Sequence, residues 1–81
     1  DALTSLPNRR LFLAHLEDRV RHYPQTGGGF VVGVLDLDRF KPVNDIYGHA
    51  TGDQLLTEVG IRLQSISSDT VLVGRLGGDE F

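Results

Sequence analysis

The 81 residues contain no cysteine. Disulfides, thiolate-held zinc and thiol nucleophiles are excluded together. A basic surplus is also missing: 8 Lys+Arg against 11 Asp+Glu leave a net charge of −3. A general binder of nucleic acid carries a basic stripe, so that class is excluded, whereas one nucleotide held through a metal is not. There is no long apolar run. The longest, Phe30 to Leu35, is interrupted by Gly33 and closed by Asp36, far short of the roughly 20 residues that span a bilayer. The chain does not open on Met and no signal-peptide pattern precedes Asp1, so it reads as a piece of something longer. Internal repeats and low-complexity segments are absent. What is present, 40% hydrophobic and 23% charged residues, is the balance of a globular chain, of one domain at most.

Pro7 and Asn8 signal a first helix, with Asn8 as its N-cap and Leu13, Leu16, Val20 and Tyr23 at helical spacing. Pro24 and Gly27-Gly28-Gly29 are expected to end it. Phe30 to Leu35 is rich in β-branched residues and short, which predicts a strand buried on both faces. A short polar helix is expected over about Arg39 to Tyr47, with Asp38 as its cap and Pro42 tolerated in its first turn. Gly48 ends it. A longer helix follows over roughly Ala50 to Ile66, with Leu55, Leu56, Val59, Leu63 and Ile66 as its apolar stripe. Ser67-Ser68-Asp69 is a turn, Thr70 to Arg75 a second strand, and Gly77-Gly78-Asp79 a tight hairpin turn. Two strands around a helical crossover imply an α/β layered fold with roughly parallel strands.

The chemistry sits at the strand ends. Asp36 closes the first strand, where ligands gather in open α/β sheets. Asp79 and Glu80 lie in the second turn. Two carboxylates from separate strand ends make a magnesium site of the kind used with substrate phosphates. The plain alternative is that Asp36 and Asp38 end a strand and cap a helix, and that Asp79 and Glu80 are solvated turn residues. Asn44 and Asp53 are brought toward one surface by the break at Gly48. An amide donating to O6 and a carboxylate accepting from the ring N–H and amino group suit a guanine edge. Their alternative is a solvated helix face. No serine, histidine and carboxylate spacing suggests a nucleophilic triad.

Gly77-Gly78-Asp79-Glu80-Phe81 spells GGDEF, a pentapeptide expected by average usage roughly once per million positions. Asp36-Leu37-Asp38-Arg39-Phe40-Lys41 matches D-x-D-x-F-K. Asn44-Asp45, Gly48-His49 and Gly52-Asp53 match N-D-x-x-G-H-x-x-G-D. Arg75-Leu76 precedes the glycines, and Asp1, Leu3, Thr4, Leu6 and Asn8-Arg9-Arg10 match the D-x-L-T-x-L-x-N-R opening. End to end, residues 1–81 resemble the N-terminal half of a GGDEF domain, the diguanylate cyclase domain of bacterial signalling. The resemblance implies a palm-like, adenylyl-cyclase-like α+β sandwich, here reaching only past its second strand. It implies condensation of two GTP into cyclic di-GMP with release of pyrophosphate, by two domains facing each other as a homodimer. Asp36, the Leu37 carbonyl and Asp79 would bind magnesium or manganese. Asn44 and Asp53 would read guanine. Arg39, Phe40 and Lys41 would hold phosphates, largely through backbone N–H groups. Gly77 and Gly78 would let the backbone approach the triphosphate, and Glu80 would assist metal binding or deprotonation of the hydroxyl.

The resemblance also implies a cytoplasmic location, fused sensory domains and, in some members, an adjoining phosphodiesterase domain that a GTP-binding module regulates. The return strand of the hairpin, expected between the two strands, belongs to the second half with the basic phosphate clamps. Residues 1–81 alone are therefore expected to be neither a competent cyclase nor a stable monomer. Two departures stand out. The R-x-x-D motif of product-inhibited members falls on Ser68 and Val71, or on Ile66 and Asp69 in a shifted register, so that inhibitory site is expected to be absent. Ser5 replaces the commoner glycine of the opening motif, a change expected to be neutral.

Overall fold

A computed structural model describes residues 1–26 and 29–81. It contains three helices: α1 (Arg9–Thr26), α2 (Phe40–Tyr47) and α3 (His49–Gln64). α1 starts as its sequence dictates. The Asn8 side chain accepts from the Leu11 N–H at 2.9 Å, which satisfies one of the free donors of the first turn. The helix runs two residues past Pro24 instead of ending there; Gly27 and Gly28 lie outside the described residues.

Between α2 and α3 the chain turns at Gly48, whose φ of 91° suits a residue without Cβ. Its N–H closes α2 on the Asn44 carbonyl at 2.9 Å, and its own carbonyl accepts from Gly52 at 3.1 Å to open α3. The expected cap of α2 is corrected. Arg39, not Asp38, occupies that position, in a left-handed conformation (φ 62°) with no side-chain cap bond. A capping carboxylate needs an extended N-cap backbone, which this turn does not provide.

The core is small. Leu6, Leu56 and Phe81 are its buried hydrophobics, flanked by the partly buried Leu3, Leu37, Phe40, Val59, Leu63 and Val73. Of the predicted α3 stripe, Leu56, Val59 and Leu63 pack inward, whereas Leu55 and Ile66 are exposed. Gly60 belongs to the buried face instead. A Cβ there would sit 2.9 Å from Thr4 Cβ, so the opening loop packs directly on the α3 backbone. On α1, Leu13, Val20 and Tyr23 are exposed, and it is Phe12 that approaches Gly74.

The two expected strands are only partly formed. Among the described residues the pairing amounts to two isolated antiparallel bridges, Asp36 with Glu80 and Gly77 with Glu80. Leu35 and Phe81 exchange both backbone hydrogen bonds at 2.7 and 2.8 Å, and the Leu37 N–H donates to the Asp79 carbonyl at 3.2 Å. On the other side, the Leu76 N–H donates to the Glu80 carbonyl at 2.9 Å. The start of the return strand thus lies between the two segments and antiparallel to both, which sets those segments parallel to each other. Phe30 to Leu35 is not buried on both faces. Val31 is 96% exposed, because among the described residues the backbone pairing of this segment reaches no further back than Leu35. No helix among the described residues is long and apolar enough to cross a membrane.

Ser5 also departs from expectation. Its φ is 62°, a region that costs a residue with a Cβ on the order of 1 kcal/mol. The commoner glycine of the motif is thereby explained, and the serine is not neutral. Part of the gain from glycine is lost to its greater unfolded-state entropy. Ser5→Gly is expected to raise stability by about 0.5 kcal/mol, read as a higher urea midpoint at unchanged m-value.

Candidate active site

The hairpin turn places the acidic residues. The Glu80 N–H donates to the Gly77 carbonyl at 2.9 Å, closing a turn around Gly78 and Asp79. Gly77 and Gly78 have φ of 147° and 52°, and open space surrounds the position of a Cβ on each. Their glycine identity is thus required by conformation.

The antiparallel bridge between Asp36 and Glu80 sets Asp36 beside Asp79. A hydrogen bond with the Asp79 side chain, then the charge of Asp79, with smaller parts from burial, Glu80 and Asp38, holds the Asp36 carboxyl above its ordinary range. Two carboxylates pressed together repel unless a proton or a cation lies between them. No group of three or more His, Cys, Asp and Glu suited to a metal occurs among the described residues. Two carboxylates and a neighbouring backbone carbonyl are a sparse set, but a fitting one for magnesium, which keeps waters and substrate phosphates as its other ligands.

Asn44 is on α2 and Asp53 on α3. The Asn44 side chain lies against Gly52, the residue before Asp53. The two helices therefore bring the amide against α3 one residue before the exposed Asp53. Arg39 and Lys41 are exposed, and Phe40 turns its ring toward the core. The Phe40 and Lys41 N–H groups belong to the open first turn of α2. The Lys41 ammonium is bound to Asp45 at 2.8 Å, and that bond, with the charge of Asp45, raises its pKa. Both partners are well exposed, so the pair adds little stability.

One constellation escaped the sequence reading. The Arg75 guanidinium donates from Nε and one terminal nitrogen to the Gly78 carbonyl, at 3.1 and 2.9 Å. Its other terminal nitrogen reaches both oxygens of Asp1, at 3.3 and 3.0 Å. Asp1 in turn accepts from the Thr4 N–H and hydroxyl. The first residue of the chain is thus tied to the glycine turn through an arginine side chain that is only 14% exposed. Only the motif positions of Asp1 and Arg75 hinted at this; a contact 74 residues apart leaves no periodic signal.

The family model described as diguanylate cyclase, GGDEF domain, matches residues 1–81, the whole chain. The chain belongs to the GGDEF family. Among its relatives, signaling protein YkoW of Bacillus subtilis is 47% identical over 81 residues, all of this chain and 10% of its own length. The bifunctional diguanylate cyclase/cyclic di-GMP phosphodiesterase MucR of Pseudomonas aeruginosa is 46% identical over all of this chain and 12% of its own length. The crystal structure of a sensory box/GGDEF family protein from Caulobacter crescentus superposes with a TM-score of 0.93 at 41% identity, covering 99% of this GGDEF chain and 51% of that one. The chain spans between 10% and 24% of the first curated relatives it matches.

Proposed function

We propose that this GGDEF chain is the N-terminal half of a diguanylate cyclase domain, which joins two GTP molecules into cyclic di-GMP in bacterial second-messenger signalling. The observation that carries the reading is the backbone pairing that sets Asp36 against the glycine turn: Asp36 is bridged to Glu80, and the Leu37 N–H donates to the Asp79 carbonyl. A site that concentrates negative charge beside a glycine-built turn is suited to a cation and, through it, to a triphosphate.

Magnesium or manganese, held by Asp36, Asp79 and the Leu37 carbonyl, would supply neutralisation of the triphosphate charge. The chain's own residues do the rest. Asn44 donates to guanine O6 and Asp53 accepts from the ring N–H and amino group. The open N–H groups of Phe40 and Lys41, beside Arg39, hold phosphate oxygens. Glu80 takes up the proton of the 3′-hydroxyl. That oxygen, on the nucleotide of a facing second domain, forms the new bond to the α-phosphorus as pyrophosphate leaves. Performed twice, the exchange closes the ring. Positioning and charge neutralisation account for such chemistry without a covalent enzyme intermediate. We place the domain in the cytoplasm, where GTP is available, and in a longer protein with a sensory domain.

MucR, whose name carries both activities, favours a second reading. The domain binds GTP and regulates an adjoining phosphodiesterase domain without turning GTP over. Incubating the full-length protein with GTP and magnesium, then separating the nucleotides, decides between them. Cyclic di-GMP supports the cyclase. GTP binding by a folded dimer without product supports the regulatory module.

A further inference from the structure

We propose that Gly52 is a positioning residue for Asn44, an assignment that rests on the reading of Asn44 as a guanine contact. Glycine in the interior of a helix is disfavoured relative to alanine, yet Gly52 stands in the first turn of α3 and is buried. Its φ lies outside the left-handed region, so no backbone conformation requires it. Space does. A Cβ built on Gly52 would overlap Asn44 Oδ1 and come within 2.9 Å of Asn44 Cγ, while Phe40 Cζ, at 3.4 Å, is an ordinary neighbour. The missing methyl is the seat of the Asn44 amide.

The consequence is directional. Asn44 and Phe40 are four residues apart, on the face of α2 that meets Gly52. Asp53 follows Gly52 directly. Seating the amide against the Gly52 backbone fixes its place on α3 one residue before Asp53, and so sets how the pair is presented to one base edge. The amide is the free end of a short side chain. A methyl at position 52 displaces it by rotation and leaves the helix pair standing. Recognition, not folding, is what the glycine protects. Gly60 differs: there a Cβ would meet the Cβ of Thr4, whose hydroxyl is bonded to Asp1, and nothing can rotate away.

The test measures GTP and ATP affinity, kcat and KM of the full-length protein for wild type, Asn44→Ala, Gly52→Ala and the double variant. Gly52→Ala is expected to weaken GTP binding roughly tenfold, the worth of one well-placed hydrogen bond. It should match Asn44→Ala and leave ATP binding unchanged, so that the preference for guanine falls. KM should rise more than kcat falls. The double variant should be no worse than either single, because both remove the same contact. Additive losses, or full guanine preference in Gly52→Ala, overturn the assignment. Should Gly52→Ala fail to fold, the double variant decides. With the amide gone the methyl has room, so a folded double variant supports the assignment and an unfolded one overturns it. A wild-type protein that binds no GTP overturns the guanine reading and this assignment with it; wild-type binding with additive losses overturns the assignment alone.

Discussion

Asp36→Asn in the full-length protein is expected to abolish cyclic di-GMP formation and, in metal-free buffer, to raise the melting temperature. The two effects have one cause. Asp36 is bridged to the turn that carries Asp79, and the Asp79 carboxyl, by hydrogen bond and by charge, raises the cost of ionising Asp36. Asparagine keeps the shape, removes one charge and supplies an N–H donor to the Asp79 carboxylate. The metal-free domain gains stability; the cation loses a ligand. Loss of one charged ligand should cut turnover by at least about 10²- to 10³-fold, the scale of removing a single transition-state contact. Asp79→Asn should lose activity likewise. Nucleotide chromatography reads the first effect, and melting with chelator and then with magnesium reads the second. A lower metal-free melting temperature for Asp36→Asn would sink the account.

The same pair gives a pH dependence with a definite sign. The Asp36 carboxyl is raised above its ordinary value in the folded chain, first by its bond to Asp79 and then by the Asp79 charge. Between the ordinary and the raised value the folded chain holds a proton that the unfolded chain has lost. Stability therefore rises as pH falls through that window, and the penalty is fully present above it. Asp36→Asn should flatten this dependence.

What the sequence made legible was local. The Asn8 cap, the break at Gly48 and the glycine turn each rest on the chemistry of one or two residues, and each stands where the residues put it. The proposed acidic site was legible for a related reason: Asp36 and Asp79 stand at the ends of two segments that one hairpin turn brings together. The failures involve contacts between distant segments. Leu13, Val20 and Tyr23 have helical spacing, but spacing cannot say whether a partner surface exists to cover them. Gly52 and Gly60 carry no hydrophobic signal at all, yet they mark where α3 is approached most closely. Ser5 seemed neutral because its side chain is small and polar; its backbone angle decides otherwise. The Asp1–Arg75–Gly78 chain joins the two ends of the sequence.

Expressed alone, residues 1–81 are expected to melt without a cooperative transition and to self-associate. Among the described residues the buried hydrophobic core consists of three, Leu6, Leu56 and Phe81, too few to offset the ordering of a chain this long without a disulfide or a structural metal. The radius of gyration is 14.6 Å, against about 12 Å for a compact domain of this length. The open surface has a direction. Leu35 and Phe81 form a hydrogen-bonded antiparallel pair, so a strand continued from Phe81 would place its second and fourth further residues opposite Gly33 and Val31. Without that strand, Phe30 to Leu35 presents Val31, Val32, Val34 and Leu35 to water, its backbone paired among the described residues only at Leu35, and Val71 and Leu72 are exposed on the other segment. An exposed strand edge is a template for a second chain. Light scattering behind size exclusion should find oligomers that grow with concentration, while the full-length protein melts cooperatively. Val31→Lys and Val34→Lys together, which charge the edge and touch nothing buried, should shift the isolated chain toward monomer. A monomeric isolated chain with a sharp transition would mean that α3 and the opening loop alone form a sufficient core. Oligomers unmoved by the two lysines would place the association on the exposed face of α1 instead.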